Sequence, residues 1–398
     1  MMKMPLIPAS KVGFAAALTF ALAAAPVSAE TITVCAKGCD YTSINAAIAV
    51  ASDGDVIQLS AETYFEGQQI DTLGKAITLQ GATDKAGNTA SILDGGGSHR
   101  VIQCQGGESG RTAFSHLLIR NGRATNGAGM YNKASSPTLT DCVFVDNQCS
   151  GRGGGIYNRD GSSPTLVRVR FSRNRASSGG GIYNFDESSP TLIDCRLEGN
   201  SAPTVGGGMT NWKACSPILI RCVFVDNTSN DSSGGGGGGM YNYGSGSPRL
   251  DSCSFVGNTS TNGAGIYVVG GALILNDCQF QMNVADIAGG ICNEYAAITA
   301  TRCFFRKNSA AKSGAAMTIK KGTSLLVDCG FDENAPTAIT MDAESELQLT
   351  NGPVVPGDLD LDGDFDVDDA RLAMSMFELD AETAERLPAE RLSPGPGP

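Results

Sequence analysis

Residues 141–166 read DCVFVDNQCSGRGGGIYNRDGSSPTL, and residues 168–192 read RVRFSRNRASSGGGIYNFDESSPTL. Both stretches carry the same words in the same order: Cys or Val, a Phe two residues on, an Asn three residues later, a glycine run ending Ile-Tyr-Asn, then Ser-Pro-Thr-Leu. Outward from this pair, the landmark asparagine recurs at Asn121, Asn147, Asn174, Asn200, Asn227, Asn258, Asn283, Asn308 and Asn334. The spacings are 26, 27, 26, 27, 31, 25, 25 and 26 residues. A unit this short cannot enclose its own apolar face, whereas a stack of such units can, so the repeat implies a solenoid.

The period inside each unit selects the kind of solenoid. Around Asp141-Cys142-Val143-Phe144 the apolar residues alternate, placing Cys142 and Phe144 on one face of a strand. Gly153 to Asn158 and Ser162 to Leu166 supply two more short extended runs bounded by turn residues. No stretch between Asn121 and Asn334 keeps a helical period for three turns. Three short strands per coil, stacked parallel at about 4.8 Å, make an all-β, right-handed parallel β-helix.

Columns of like residues follow from that stacking. Cys142, Val169, Cys195, Cys222, Cys253, Cys278, Cys303 and Cys329 should point inward, as should Phe144, Phe171, Leu197, Phe224, Phe255, Phe280, Phe305 and Phe331. Met130, Ile156, Ile182, Met209, Met240, Ile266, Ile291 and Met317 form a third inward column. The landmark asparagines can form an amide ladder. A straight row of thiols cannot wrap around zinc, and a spacing of about 4.8 Å exceeds what a disulfide wants, so the cysteine column reads as small buried hydrophobes.

The ends of the chain differ from its middle. Residues 1–29 read as an export signal: Lys3 and Lys11, the apolar run Val12 to Ala25, and the small residues Val27-Ser28-Ala29. This predicts a secreted or cell-surface protein with no transmembrane segment in the mature chain. Cys35 and Cys39 lie before the repeats and, in an exported segment, are expected to form a local disulfide. Beyond them Ile44, Ala47, Ile48 and Ala51 share one helical face after Thr42 and Ser43, which predicts a short N-terminal capping helix over otherwise unpaired strand edges. The solenoid is assigned to residues 30–352.

Net charge is 29 − 41 = −12. Seven of the acids crowd one stretch, from Asp358 to Asp369, and the remainder shows no basic stripe, so nucleic acid is excluded as a partner. The spacing Asp358-x-Asp360-x-Asp362-Gly363-Asp364-Phe365-Asp366-x-x-Asp369 is that of a 12-residue calcium loop. Asp358, Asp360, Asp362, Asp366 and Asp369 offer side chains, Asp364 offers its carbonyl, and calcium is the implied cofactor. A loop–helix module over 353–379 and a disordered tail over 380–398 complete the domain plan.

The opening CAKGCDYTSINAAIAVASDGDVIQL resembles the start of pectin-lyase-like β-helix proteins. The words FVDN…GGGIYN, FSRN…GGGIYN and FQMN…AGGICN resemble polymorphic outer-membrane-protein repeats. The acidic loop, with Leu372, Met376 and Leu379 on one side of the following helix, resembles a single dockerin-type EF-hand repeat. That last resemblance implies a cohesin-like partner, although only one loop is present and Val367-Asp368 replaces the usual Ser/Thr recognition pair.

Candidate sites within the repeats are few. Asp160, Asp186 and Glu187 follow the Gly-Ile-Tyr-Asn turn on successive coils, where two carboxylates can act as acid and base. Arg168, Arg170, Arg173 and Arg175 make a basic spot of a kind that can hold an acidic sugar, but Arg168 and Arg173 face Asp141 and Asp146 on the preceding coil, so a solvated, paired face is the expectation. Asp141, Arg168, Asp194, Arg221, Ser252, Asp277, Arg302 and Asp328 alternate in sign from coil to coil, which reads as a structural ladder. Tyr131, Tyr157, Tyr183, Tyr241 and Tyr267 should face outward, and Phe185, Trp212 and Tyr243 fall on three consecutive coils, where aromatic faces can bind a glycan. The expected function is a non-catalytic adhesion or glycan- or partner-binding protein, with a polysaccharide or cell-surface protein as partner. The alternative is a polysaccharide lyase or glycoside hydrolase acting on acidic polysaccharides.

Overall fold

A computed structural model describes residues 29–230 and 235–350. The expected export signal (but for Ala29), the stretch expected to form a calcium module and the tail lie outside the described residues. One coil serves as the pattern. Thr138–Thr140 is followed by a bend at Asp141, then by Val143–Val145, a second bend at Asp146, Gln148–Cys149, the glycine run and Ile156–Arg159. A third bend at Asp160 returns the chain to Thr165–Val167, one rung higher.

Stacking these coils builds three long sheets whose strands pair in parallel. The first has 13 strands from Thr31–Val34 to Glu346–Thr350, and the second and third have 11 each. The register keeps equivalent residues level: Leu139 with Leu166, Phe144 with Phe171, Met130 with Ile156. Three strands per coil were expected from the sequence. The structure adds a fourth, a lateral two- to four-residue strand between the asparagine and the glycine run, in sheets of two and five strands. Its residues lack apolar alternation, which is why the sequence pattern did not separate it.

The bends have a common cause. Asp141, Asp146 and Asp160 have φ of 53°, 54° and 57°, and equivalent residues of most coils share this left-handed conformation. One such residue turns the chain sharply, so the strands on either side of it both turn a face to the core, as Leu139 and Cys142 do around Asp141. Left-handed backbone costs a non-glycine residue about 1–2 kcal/mol. Fully burying a Leu, Phe or Ile side chain contributes about 1.5–3 kcal/mol, and a coil buries at least three, as Leu166, Phe171 and Ile182 do, so the core gained per coil offsets the three bends that make it.

That core is continuous. The cysteine/valine column is buried throughout, as are the Met/Ile column and the phenylalanine column up to Phe305. Neighbouring phenylalanine rings stack with centroids 4.6–5.1 Å apart. The one helix among the described residues, Ile44–Val50, is N-capped by Ser43 and buries Ile44, Ala47 and Ile48 in the same core against the first coil. In the glycine run, a Cβ on Gly154 would meet the carbonyl oxygens of Gly180 and Arg175 at 2.5 and 2.7 Å. Only glycine lets this run lie so close to the backbone of the next coil.

Two amide ladders run along this core. From Asn147 to Asn308 each landmark asparagine donates Nδ2 to the next one's Oδ1 at 2.9–3.1 Å, and that oxygen also accepts the backbone N–H of the earlier residue. The second ladder was not anticipated. Asn132, Asn158, Asn184, Asn211 and Asn242 are buried and linked Nδ2 to Oδ1 at 2.7–2.9 Å. It stops where Val268 takes the next rung, leaving Asn242 Nδ2 with no partner. The recurring last letter of Gly-Ile-Tyr-Asn was its signal in the sequence.

Candidate functional site

Strands Ile182–Phe185, Met209–Trp212 and Met240–Tyr243 pair in register, so Phe185, Trp212 and Tyr243 stand level on the outer side of the third sheet. Rungs about 4.8 Å apart oblige flat side chains to stack on one another. Trp212 and Tyr243 do so, with centroids 4.3 Å apart and an interplanar angle of 23°. Their faces are therefore turned along the solenoid axis and their edges outward. The sequence suggested faces offered to a ligand; the geometry makes a ridge, of which Tyr243 is 43% exposed.

The Phe185 ring carries cations instead of a ring partner. The Lys213 ammonium lies 4.6 Å from its centroid and the Arg152 guanidinium 5.4 Å away, with Arg152 also 5.3 Å from the Tyr183 ring. Such contacts contribute about 0.5–1 kcal/mol each at exposed sites and hold the cation in place.

The tyrosine column is on the outer face, as its register requires, but solvent does not reach it. Tyr157, Tyr183, Tyr241 and Tyr267 are buried. The lateral turns fold back over them, Val205 and Ile287 packing with Tyr241 and Tyr267. Burial pushes the Tyr157 hydroxyl above its ordinary range, a shift that the Arg152 guanidinium opposes. The tyrosines pack edge to face along the sheet, with centroids 5.4–5.6 Å apart, instead of offering a face to solvent; that a turn would also cover them is something strand alternation cannot foresee.

The acids of the turn sit at left-handed bends, and two of the three have local partners. Asp160, Asp186 and Glu187 have φ of 57°, 58° and 62°. Asp160 pairs with Arg159 at 2.9 Å, and Asp186 with Lys213 at 3.5 Å. The basic spot is largely spoken for: Arg168 grips Asp141, Arg173 grips Asp146, and Arg170 joins Arg196 on Glu198. Arg221 holds Asp194 and Arg302 holds Asp277 in the same bidentate way. The alternating column is thus a set of ion pairs between adjacent coils, and Arg168 depresses the Asp141 carboxyl below the ordinary range.

Cys35 and Cys39 form a disulfide with Cα atoms 5.5 Å apart. The other 11 cysteines are free and buried. Among the described residues no group of three or more His, Cys, Asp or Glu is placed to hold a metal ion. His99 Nδ1 lies 2.8 Å from the Gly95 carbonyl oxygen, and His116 Nε2 is 3.7 Å from Asp141. The residues expected from the sequence to bind calcium, Asp358, Asp360, Asp362, Asp364, Asp366 and Asp369, lie outside the described residues. No described helix is long and apolar enough to cross a membrane.

Parallel sheets, in-register columns and left-handed bends together define a parallel β-helix. The family model for the right handed beta helix region matches residues 36–283, and the chain belongs to that family. Among solved structures it is similar to a mannuronic acid specific family 6 polysaccharide lyase from human gut microbiota, at 10% identity and a TM-score of 0.39, covering 78% of this chain and 83% of that one. It is also similar to a family 6 alginate lyase, solved as an arginine-to-alanine mutant, at 13% identity and a TM-score of 0.39. That alignment covers 78% of this chain and 51% of the other. No curated protein matches the chain.

Proposed function

We propose that this is an exported, non-catalytic β-helix protein that binds a glycan along the ridge of Phe185, Trp212 and Tyr243. The observation that carries the reading is an in-register aromatic row, partly exposed and flanked by cations, on a rigid sheet. A rigid scaffold spares the ordering cost of binding, and tryptophan and tyrosine combine apolar surface with a polar edge. The candidate acids Asp160, Asp186 and Glu187 are turn residues in this account. Binding to a glycan panel should weaken about tenfold or more in Trp212→Ala. Unchanged binding removes the ridge from the reading.

The second reading is a polysaccharide lyase or glycoside hydrolase acting on acidic polysaccharides. It is favoured by one observation, the Asp186–Lys213 pair 3.5 Å apart beside Phe185, which sets an acid and an amine next to the ridge. Incubation with acidic polysaccharides and calcium, followed for unsaturated products and reducing ends, decides between them. Activity lost in Asp186→Asn would establish the enzyme.

The acidic loop is proposed to bind calcium through Asp358, Asp360, Asp362, Asp366 and Asp369 side chains and the Asp364 carbonyl. A cohesin-like partner follows only from the dockerin resemblance and is the weaker half of that proposal. Calorimetric titration with calcium should show binding that Asp362→Ala abolishes; no heat in the parent chain would end this part of the reading.

A further inference from the structure

The lateral turns on three successive coils are segregated by charge. Residues 121–130, 147–156 and 174–182 contain Arg123, Arg152 and Arg175 and not one Asp or Glu, in a chain whose net charge is −12. All three arginines are exposed. Arg123 and Arg175 occupy one column, with Gln148 on the rung between them, so they stand two rungs or about 10 Å apart. Arg152 lies on the intervening coil, braced by the Tyr183 and Phe185 rings.

These arginines differ from those elsewhere on the surface. Arg168, Arg170, Arg173, Arg221 and Arg302 each hold a carboxylate of a neighbouring coil. Among the described residues no carboxylate lies within ion-pair distance of Arg123, Arg152 or Arg175, and Arg152 is held by the Tyr183 and Phe185 rings and by the Tyr157 hydroxyl. A guanidinium without an internal carboxylate keeps donors for an external anion, and planar carboxylate or sulfate groups match its fork. Clustered charge of one sign on an oppositely charged protein also steers a ligand to that face.

We propose that this face takes an anionic polysaccharide, with carboxylate or sulfate groups on Arg123, Arg152 and Arg175 and sugar rings along Phe185, Trp212 and Tyr243. This rests on the glycan-binding reading and names its ligand class. Anionic sugar belongs at the low-numbered coils, where the arginines are, and the aromatic ridge continues toward the higher-numbered ones. The basic spot read from the sequence is displaced by one turn of the coil: of its four arginines only Arg175 belongs to this face.

The test is calorimetric titration of the full chain with a polygalacturonate oligomer, a sulfated heparin oligomer, a neutral cello-oligosaccharide and single-stranded DNA of matched charge. One or both anionic glycans should bind at least about tenfold more tightly than the neutral one, with an affinity that falls as salt rises. Arg152→Gln and Arg175→Gln should each remove most of that preference, whereas Arg168→Gln, whose partner is Asp141, should not. Thermal unfolding of each variant checks that the coil is intact. Equal affinity for neutral and anionic glycans, or full anionic binding in Arg152→Gln, overturns the inference and leaves the ridge reading standing. DNA binding as tight as glycan binding overturns the ligand class. Binding of none of the four sinks both readings.

Discussion

Replacing Asn200 by Ala should destabilise the solenoid far more than removing a surface side chain of the same size. Asn200 is fully buried. Its Oδ1 accepts the Asn174 backbone N–H at 3.0 Å and Asn174 Nδ2 at 3.1 Å, and its own Nδ2 donates to the Phe171 carbonyl at 2.9 Å and to Asn227 Oδ1 at 3.0 Å. Alanine leaves two donors of Asn174 with no acceptor in a dry interior. At about 1–3 kcal/mol for each orphaned group, the expected loss is about 2–6 kcal/mol. Asn334→Ala removes the same acceptor from Asn308, but at the half-buried last rung, where water can replace it. That loss should be about 1 kcal/mol. Urea unfolding followed by the fluorescence of Trp212, the only tryptophan in the chain, reports both values in one assay. Equal losses at the two positions, or a loss under about 1 kcal/mol at Asn200, would refute the view that the ladder is continuous and sealed from water.

Three further outcomes follow from the same structure. Burial by itself would raise the Glu198 carboxyl, but hydrogen bonds from Arg170 and Arg196 outweigh it and hold the group below its ordinary range. Its stabilising contribution is therefore present at neutral pH and lost as pH falls through that depressed value. Glu198→Gln should cost about 1–3 kcal/mol at pH 7 and flatten the acid limb of the stability profile; an unchanged acid limb would contradict the pairing. The free cysteines should resist a thiol reagent in the native state and all react in denaturant. Burial pushes Cys142, Cys149 and Cys292 up to about 12, and the whole column lacks access. Rapid native labelling of several thiols would show that the core is open. Val268→Asn would extend the second ladder to Asn242 Nδ2, recovering about 1–3 kcal/mol against a similar loss of valine burial. It should come out within about 1 kcal/mol of the parent chain, whereas Leu250→Asn, with no ladder to join, should cost several; equal losses at both sites would show that the orphan amide is irrelevant.

Much of the fold could be read from columns because each coil repeats its neighbour's environment. Cys142, Phe144, Met130 and Asn147 each announce an inward position by recurring, and in-register stacking turns recurrence into contact. The ion pairs were legible for the same reason, since Asp141 and Arg168 are equivalent residues on adjacent coils. The lateral strand was not, because Gln148-Cys149 and its equivalents share no alternation. The burial of Tyr157 and Tyr183 was not, because the turns that cover them come from another part of the coil. The candidate site was half legible: recurrence put Phe185, Trp212 and Tyr243 in one row, yet their orientation depended on a rung spacing that turns the rings toward one another.

By itself the sequence determined that equivalent side chains lie one above another, and hence which columns are apolar, amide or charged. That information is one-dimensional and runs along the stack. Only the tertiary structure decided what lies beside what around a coil: that Arg152 meets the Tyr183 and Phe185 rings, and that Val205 and Ile287 pack with Tyr241 and Tyr267. Angular position depends on single left-handed bends at residues such as Asp141, Asp146 and Asp160. A change of one backbone dihedral there redirects a whole strand, and no periodicity in the sequence records it.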